Sequence, residues 1–180
     1  MYRKSVLLIA IIIAVFFLFS TKGYSQYELN KSYIGPTIGL SFLGSTPQFG
    51  LNYEYSMQLQ DFGTVGFGGV FRYWSYSEDY FFGKWSYTNI LIGAQGNYHF
   101  KVTNDKWDPW VGLVLAYDGG SVSWSGPSGY NYASPTVGGF FLGAQGGVRY
   151  WISPNLGIVA RLGYGSLSYG ALDVGVDFKL

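Results

Sequence analysis

The 180-residue sequence contains no cysteine, a single histidine and only 12% charged residues. Without cysteine there is no disulfide scaffold, no thiolate zinc site, no cysteine nucleophile and no lipidated thiol anchor. The charged fraction is about half the roughly 25% of an average globular chain. Its balance, 11 basic against 10 acidic residues, gives no electrostatic footprint for nucleic acid. What the chain has instead is glycine and rings: 27 Gly, 17 Tyr, 14 Phe and 6 Trp. With 48% hydrophobic residues, intrinsic disorder is excluded, because too much apolar surface would face water.

The start of the chain has its own logic. Arg3 and Lys4 precede an unbroken apolar run from Val6 to Phe19, 14 residues long. That length suits the core of a secretory signal, about 7–15 residues, and falls short of the roughly 20 a spanning helix needs. Gly23 and Ser25 supply small residues for a cut before Gln26. Residues 1–25 are therefore expected to be a cleaved signal peptide and 26–180 the mature domain. Cleavage removes Arg3, Lys4 and Lys22, leaving 8 basic and 10 acidic residues, a net charge of −2.

From residue 32 the hydrophobic period is two, the period of a strand. In the last segment Leu172, Val174, Val176, Phe178 and Leu180 alternate with Asp173, Gly175, Asp177 and Lys179. The same alternation recurs around Ile38, Leu51, Phe67, Ile92, Leu113, Leu142 and Ile158, which makes eight strands. A soluble sandwich would carry abundant Lys and Glu on its polar face. Here that face carries Gly, Ser, Asn, Gln and a few charges, a poor surface for water but a suitable one for a lumen. Rings mark the ends of the apolar faces: Tyr55, Tyr98, Phe100, Tyr150 and Phe178 at one rim, Phe42, Phe49, Tyr73, Tyr117, Phe140 and Tyr164 at the other. Two aromatic girdles around an aliphatic band define an all-β, eight-stranded antiparallel up-and-down transmembrane β-barrel.

Eight strands enclose an interior just wide enough to be filled by side chains. Arg72, Trp74, Trp110, Arg149, Trp151 and Arg161 are expected there, with inward glycines making room for them. Register parity places Arg161 opposite or diagonal to Asp173. Arg149 and Asp177 form a second expected pair, and Glu54 needs a cation from across the lumen, Arg161 or Arg149. A lumen packed this way favours a rigid plug over an ion path.

Catalytic signals are weak. His99 points inward, with no Ser and Asp or Glu at nucleophile spacing, so it reads as a satisfied lumen histidine and the chain as a non-enzyme. No acidic or histidine cluster has metal-ligand spacing. The run Gly143-Ala144-Gln145-Gly146-Gly147 lies mid-strand without a following helix or Lys and is no phosphate loop. No cofactor, metal or catalytic site is expected. Two segments at the rim, 77–84 and 119–134, are read as surface loops. The second mixes Trp, Tyr, Ser, Gly and Asn, the composition of adaptable binding surfaces.

The residues Gly147-Val148-Arg149-Tyr150-Trp151-Ile152-Ser153-Pro154-Asn155-Leu156-Gly157, Ala160-Arg161-Leu162-Gly163-Tyr164-Gly165 and Trp107-Asp108-Pro109-Trp110-Val111-Gly112 resemble the porin-like outer-membrane β-barrel domain family of Bacteroidota. The resemblance is closest over 143–180. It implies a small barrel in the size range of OmpX and the OmpA membrane domain, and carries no single activity. Two positions depart from the family pattern: Arg161 stands where Glu is common, and the chain ends in Leu180 rather than an aromatic residue. The expected protein is thus an exported, monomeric outer-membrane barrel with lipid and the barrel assembly machinery as partners. A surface protein or glycan would be its ligand, bound through 77–84 and 119–134. The alternatives are a narrow porin-like channel or conduit for small apolar molecules, and an accessory subunit of an envelope machine.

Overall fold

The computed structural model describes residues 27–127 and 133–180; the expected signal peptide, 1–25, lies outside them. Nine strands follow in order: β1 Ser32–Ser41, β2 Thr46–Leu59, β3 Gly63–Tyr80, β4 Gly83–His99, β5 Trp107–Asp118, β6 Ser121–Ser125, β7 Gly139–Ser153, β8 Leu156–Gly165 and β9 Gly170–Lys179. Eight of them pair antiparallel with their neighbours around a ring, and β1 closes it against β9 through pairs such as Ile38↔Val174. The closing ladder skips Gly35 and Pro36, where proline brings no N–H to donate. The result is a closed eight-stranded antiparallel β-barrel.

Alternation sets the wall. β2 runs through alternately buried and exposed residues over most of its length. Phe49, Leu51, Tyr53 and Tyr55 point outward, whereas Gln48, Asn52, Glu54 and Ser56 are buried. Leu113, Leu115, Ile92, Leu142 and Leu162 continue the outward band, each more than half exposed. A belt of that extent is stable against lipid and not against water. Rings edge it as the alternation predicts. Tyr55, Phe100 and Phe178 are exposed at the end that carries both termini, and Phe42, Phe49, Tyr73, Tyr117, Phe140 and Tyr164 at the far end.

The connections depart from the sequence reading at the far end. Residues 77–84 are not a loop. Ladder pairs continue from Trp74↔Asn89 out to Tyr80↔Gly83, leaving only Phe81 and Phe82 as the turn. Within 119–134, residues 121–125 form the additional strand β6, which pairs Ser121–Ser125 with Thr88–Lys84 on the same edge of β4 that β5 occupies lower down. The chain turns between β5 and β6 at Gly119-Gly120, and Gly138 returns against Asp118 with φ +78°, a conformation open to glycine because it has no Cβ. A three-stranded ribbon, β3–β4–β6, therefore rises beyond the wall. The six residues from Ser75 to Tyr80 correspond to about 20 Å at the usual strand rise.

Candidate functional site

The lumen is layered along its axis. Nearest the termini, Arg149 is the hub. Its Nη1 lies 2.6 Å from Asp108 Oδ2, its Nη2 2.6 Å from Asp177 Oδ2 and 3.9 Å from Glu54 Oε1. The guanidinium also rests 5.0 Å from the Tyr33 ring centre, 5.4 Å from Tyr27 and 5.5 Å from Trp151, a cage of π-faces around a cation. His99 bridges two carboxylates, with Nδ1 2.7 Å from Asp108 and Nε2 3.1 Å from Glu54. An imidazole faced by acceptors at both nitrogens can donate to both only as imidazolium. Tyr27 covers this layer: its ring stacks on His99 at 3.6 Å and its hydroxyl donates to Glu54 at 2.6 Å. The Asn97 amide donates to the other Glu54 oxygen.

The middle layer centres on Asp173. Gln48 Nε2 donates to its Oδ1 at 2.5 Å, while Arg72 Nε and Arg161 Nη2 approach Oδ2 at 3.3 and 3.2 Å. Asn52 Oδ1 ties the two arginines together, accepting from Arg72 at 2.8 Å and Arg161 at 2.6 Å. Gln145 spans the lumen to Gln95 at 2.9 Å and Asn97 at 3.0 Å. Asp173→Ala removes the carboxylate shared by two buried guanidiniums, so a loss of about 3–5 kcal/mol is expected. Denaturant unfolding of the folded barrel measures it.

The far layer is apolar. Val70, Leu91, Val114, Ala116, Phe141 and Ala171 pack with Trp74 and Tyr169, whose rings stack at 4.4 Å. Asn89 sits at its polar edge: with the amide turned to satisfy both neighbours, its nitrogen donates to Asp118 at 3.0 Å and its oxygen accepts from Trp74 Nε1 at 3.3 Å. The interior space that remains includes cavities of about 40 Å³ in the far half and about 10 Å³ near Glu54 and Arg149. These are volumes for a few waters at most.

All six large side chains expected in the lumen are there, each at most 5% exposed. Arg161 lies directly opposite Asp173, and Arg149 pairs with Asp177. Inward glycines do face them: a side chain at Gly147 would run into Trp110, and one at Gly157 into Arg149. Glu54 meets one of its two expected cations, Arg149 at 3.9 Å, and lies nearer still to His99 Nε2, which was not expected; Arg161 is held by Asp173 and Asn52 instead. Sequence reasoning also missed Tyr27 and Tyr33 as lumen residues and, apart from Trp74, the apolar layer. The signal for that layer was present in Val70, Leu91, Val114 and Phe141, apolar residues at inward parity. Among the described residues no group of His, Asp and Glu is arranged to hold a metal ion.

At the far end, Phe81 and Phe82 form the ribbon tip, 78% and 70% exposed. Phe81 adopts φ +48°. Two-residue hairpin turns with positive φ ordinarily use Asn or Gly, and a bulky residue there costs on the order of 1 kcal/mol or more. Below the tip, the paired rings of Trp85 and Trp124 stand 4.9 Å apart and those of Tyr76 and Tyr87 stack at 4.7 Å, stiffening the ribbon.

No family model matches the chain, and no curated protein matches it. Solved structures do. The outer membrane protein OprG from Pseudomonas aeruginosa superposes with a TM-score of 0.60 at 14% identity, covering 87% of this chain and 99% of that one. The N-terminal β-barrel domain of Pseudomonas aeruginosa OprF gives a TM-score of 0.57 at 16% identity, over 84% and 98% of the two chains. Neisserial surface protein A gives 0.52 at 21% identity, over 83% and 95%. The fold is that of the small outer-membrane β-barrels.

Proposed function

We propose that this chain is an outer-membrane barrel whose lumen is a structural plug and whose function is recognition at the cell surface by the β3–β4–β6 ribbon. The observation that carries the reading is the tip: two exposed phenylalanines held in a turn whose backbone favours Asn or Gly. A solvent-exposed apolar pair with its first residue in a strained conformation works against stability, which is the pattern of a residue kept for contact. Trp, Tyr and Phe on a stiff scaffold supply binding area at low entropic cost. The partner is a surface protein, because an apolar Phe pair suits a protein pocket better than a hydroxyl-rich glycan. The accompanying parts of the proposal are export by the signal at 1–25, insertion by the barrel assembly machinery, a monomeric state and kinship with the porin-like Bacteroidota family through 143–180.

The test has two arms. Phe81→Asn with Phe82→Gly is expected to leave the barrel folded, with the boiled and unboiled forms still migrating differently in detergent gels. The same variant should lose binding to the cells or surface proteins that wild type engages. Undiminished binding would move the function elsewhere on the molecule. Purified protein in planar bilayers is expected to carry no stable current, and Asp173→Ala to destabilise without opening one. A steady small-solute conductance in wild type would replace the plug by a channel.

A further inference from the structure

The ladder that carries β3 and β4 past the aromatic rim gives the ribbon two unlike faces. Directly paired residues share a face. Tyr76↔Tyr87, Trp85↔Trp124 and Tyr87↔Val122 therefore put rings and an aliphatic side chain on the face that continues the lumen side of the wall. The opposite face continues the lipid side. Below the rim it reads Phe71↔Ile92 and Tyr73↔Ile90, all four exposed. One step higher its chemistry changes at once. Ser75–Thr88–Ser121, Ser77–Ser86–Ser123 and Asp79–Lys84–Ser125 form three rows across the three strands. Seven of these nine side chains are hydroxyls, and the two charges, Asp79 and Lys84, stand opposite each other. Strand geometry spaces the hydroxyls about 4.8 Å apart within a row and the rows about 7 Å apart. Ser77 and Ser86 share a hydrogen bond at 3.2 Å, and Ser75 donates to the Tyr87 carbonyl at 2.9 Å. A hydroxyl donates once and accepts twice, so most of the capacity of this grid is turned outward, where Ser75, Ser77, Ser121, Ser123 and Ser125 are exposed. A face meant only for water carries Lys, Glu and Arg in quantity, and serine is not among the residues that strands favour.

We infer that this outward face binds a glycolipid of the leaflet from which the ribbon rises. Its acyl chains lie on Phe71, Tyr73, Ile90 and Ile92, and its neutral sugar headgroup lies on the hydroxyl rows. The switch from apolar to hydroxyl on one continuous face follows the profile of such a molecule. A phospholipid would need a basic row at headgroup height. Among the described residues of this face the one cation is Lys84, set against Asp79 two rows higher. Hydroxyl contacts exchange nearly evenly with water and hold a free sugar poorly. A sugar anchored by its lipid beside the wall is confined next to the rows, and at that effective concentration several weak bonds suffice. The inference rests on the ribbon standing outside the membrane and not on its Phe81-Phe82 tip.

The probe is digalactosyl diacylglycerol, mixed into phosphatidylcholine nanodiscs that hold the full mature barrel, with phosphatidylglycerol at the same mole fraction as the comparison. Native mass spectrometry of the barrel released from the discs reads which lipids stay bound. The glycolipid is expected to be retained about ten-fold over phosphatidylcholine, the gain from two or three net hydrogen bonds, and phosphatidylglycerol not to be. Replacing the middle row as Ser77→Val, Ser86→Val and Ser123→Val removes three hydroxyls and leaves residues that strands favour. Retention should then fall to the phosphatidylcholine level in a barrel that still shows heat-dependent gel mobility. Ser77→Thr, Ser86→Thr and Ser123→Thr together keep the hydroxyls and should keep the retention. If the valine variant does not fold, Ser123→Val alone is expected to lower retention about two-fold. Phe81→Asn with Phe82→Gly should leave it unchanged, which separates this face from the tip. No retention above phosphatidylcholine, equal retention of phosphatidylglycerol, or retention that survives the valine substitutions would overturn the assignment.

Discussion

Arg149→Ala is expected to lower the unfolding free energy by about 3–5 kcal/mol, the cost of leaving buried charge without its partner. The substitution abandons Asp108 and Asp177, each held at 2.6 Å, and weakens the field that holds Glu54. All three carboxylates are within a barrel where water cannot take over the role of the guanidinium, since each is at most 4% exposed. The loss extends to packing, because the cation fills the space between Tyr27, Tyr33 and Trp151. Urea unfolding in lipid vesicles, followed by tryptophan fluorescence, measures it directly. Replacing the pair together, as Arg149→Met with Asp177→Leu, should recover part of the stability, because an apolar pair removes two desolvation penalties at once. A loss under about 1 kcal/mol for Arg149→Ala would mean that water enters the layer and the plug is looser than its contacts indicate.

Two glycine substitutions are expected to have opposite signs. At Gly68 a methyl group would collide with the Tyr53 carbonyl on β2, a backbone atom in a hydrogen-bonded ladder that cannot move aside. Gly68→Ala is therefore expected to cost at least about 1–3 kcal/mol, the range for forced overpacking, and to lower the folded fraction on unboiled gels. At Gly163 the nearest atoms to a methyl group are 3.5 Å away, and the cavity is beside it. Gly163→Ala should stabilise by about 0.4–1 kcal/mol by reducing the freedom of the unfolded chain. Equal effects at the two positions would show that inward glycines act through strand propensity alone, and not through the space each one leaves.

The legibility of this molecule follows its local and non-local physics. Outward residues such as Leu113 and Ile92 were readable because strand geometry sends alternate side chains to opposite faces whatever the neighbours do. Arg161 opposite Asp173 was readable for the same reason, since one tight hairpin fixes parity between adjacent strands. Glu54 was harder. Its partners lie on β4 and β7, and which side chains meet across a lumen depends on the stagger of the closed barrel. The apolar far layer was obscured by the rule that worked elsewhere: Val70 beside Phe71 and Phe141 beside Phe140 make both faces apolar, so alternation loses its contrast. Residues 77–84 carried loop chemistry in Ser77, Glu78, Asp79 and Gly83, yet β4 and β6 extend the pairing to the tip.

The sequence by itself determined the wall. A period of two, aromatic rims and a scarcity of charge leave a small transmembrane barrel as the physical solution, because lipid outside and a narrow lumen inside are the one setting where that composition is stable. Only the tertiary structure decided what the barrel holds and presents. The Arg149 hub, the His99 bridge, the Asn52 amide that ties Arg72 to Arg161 and the docking of β6 on β4 all depend on contacts between residues distant in the chain. Local propensity carries no information about such contacts, and closure of the ring creates them.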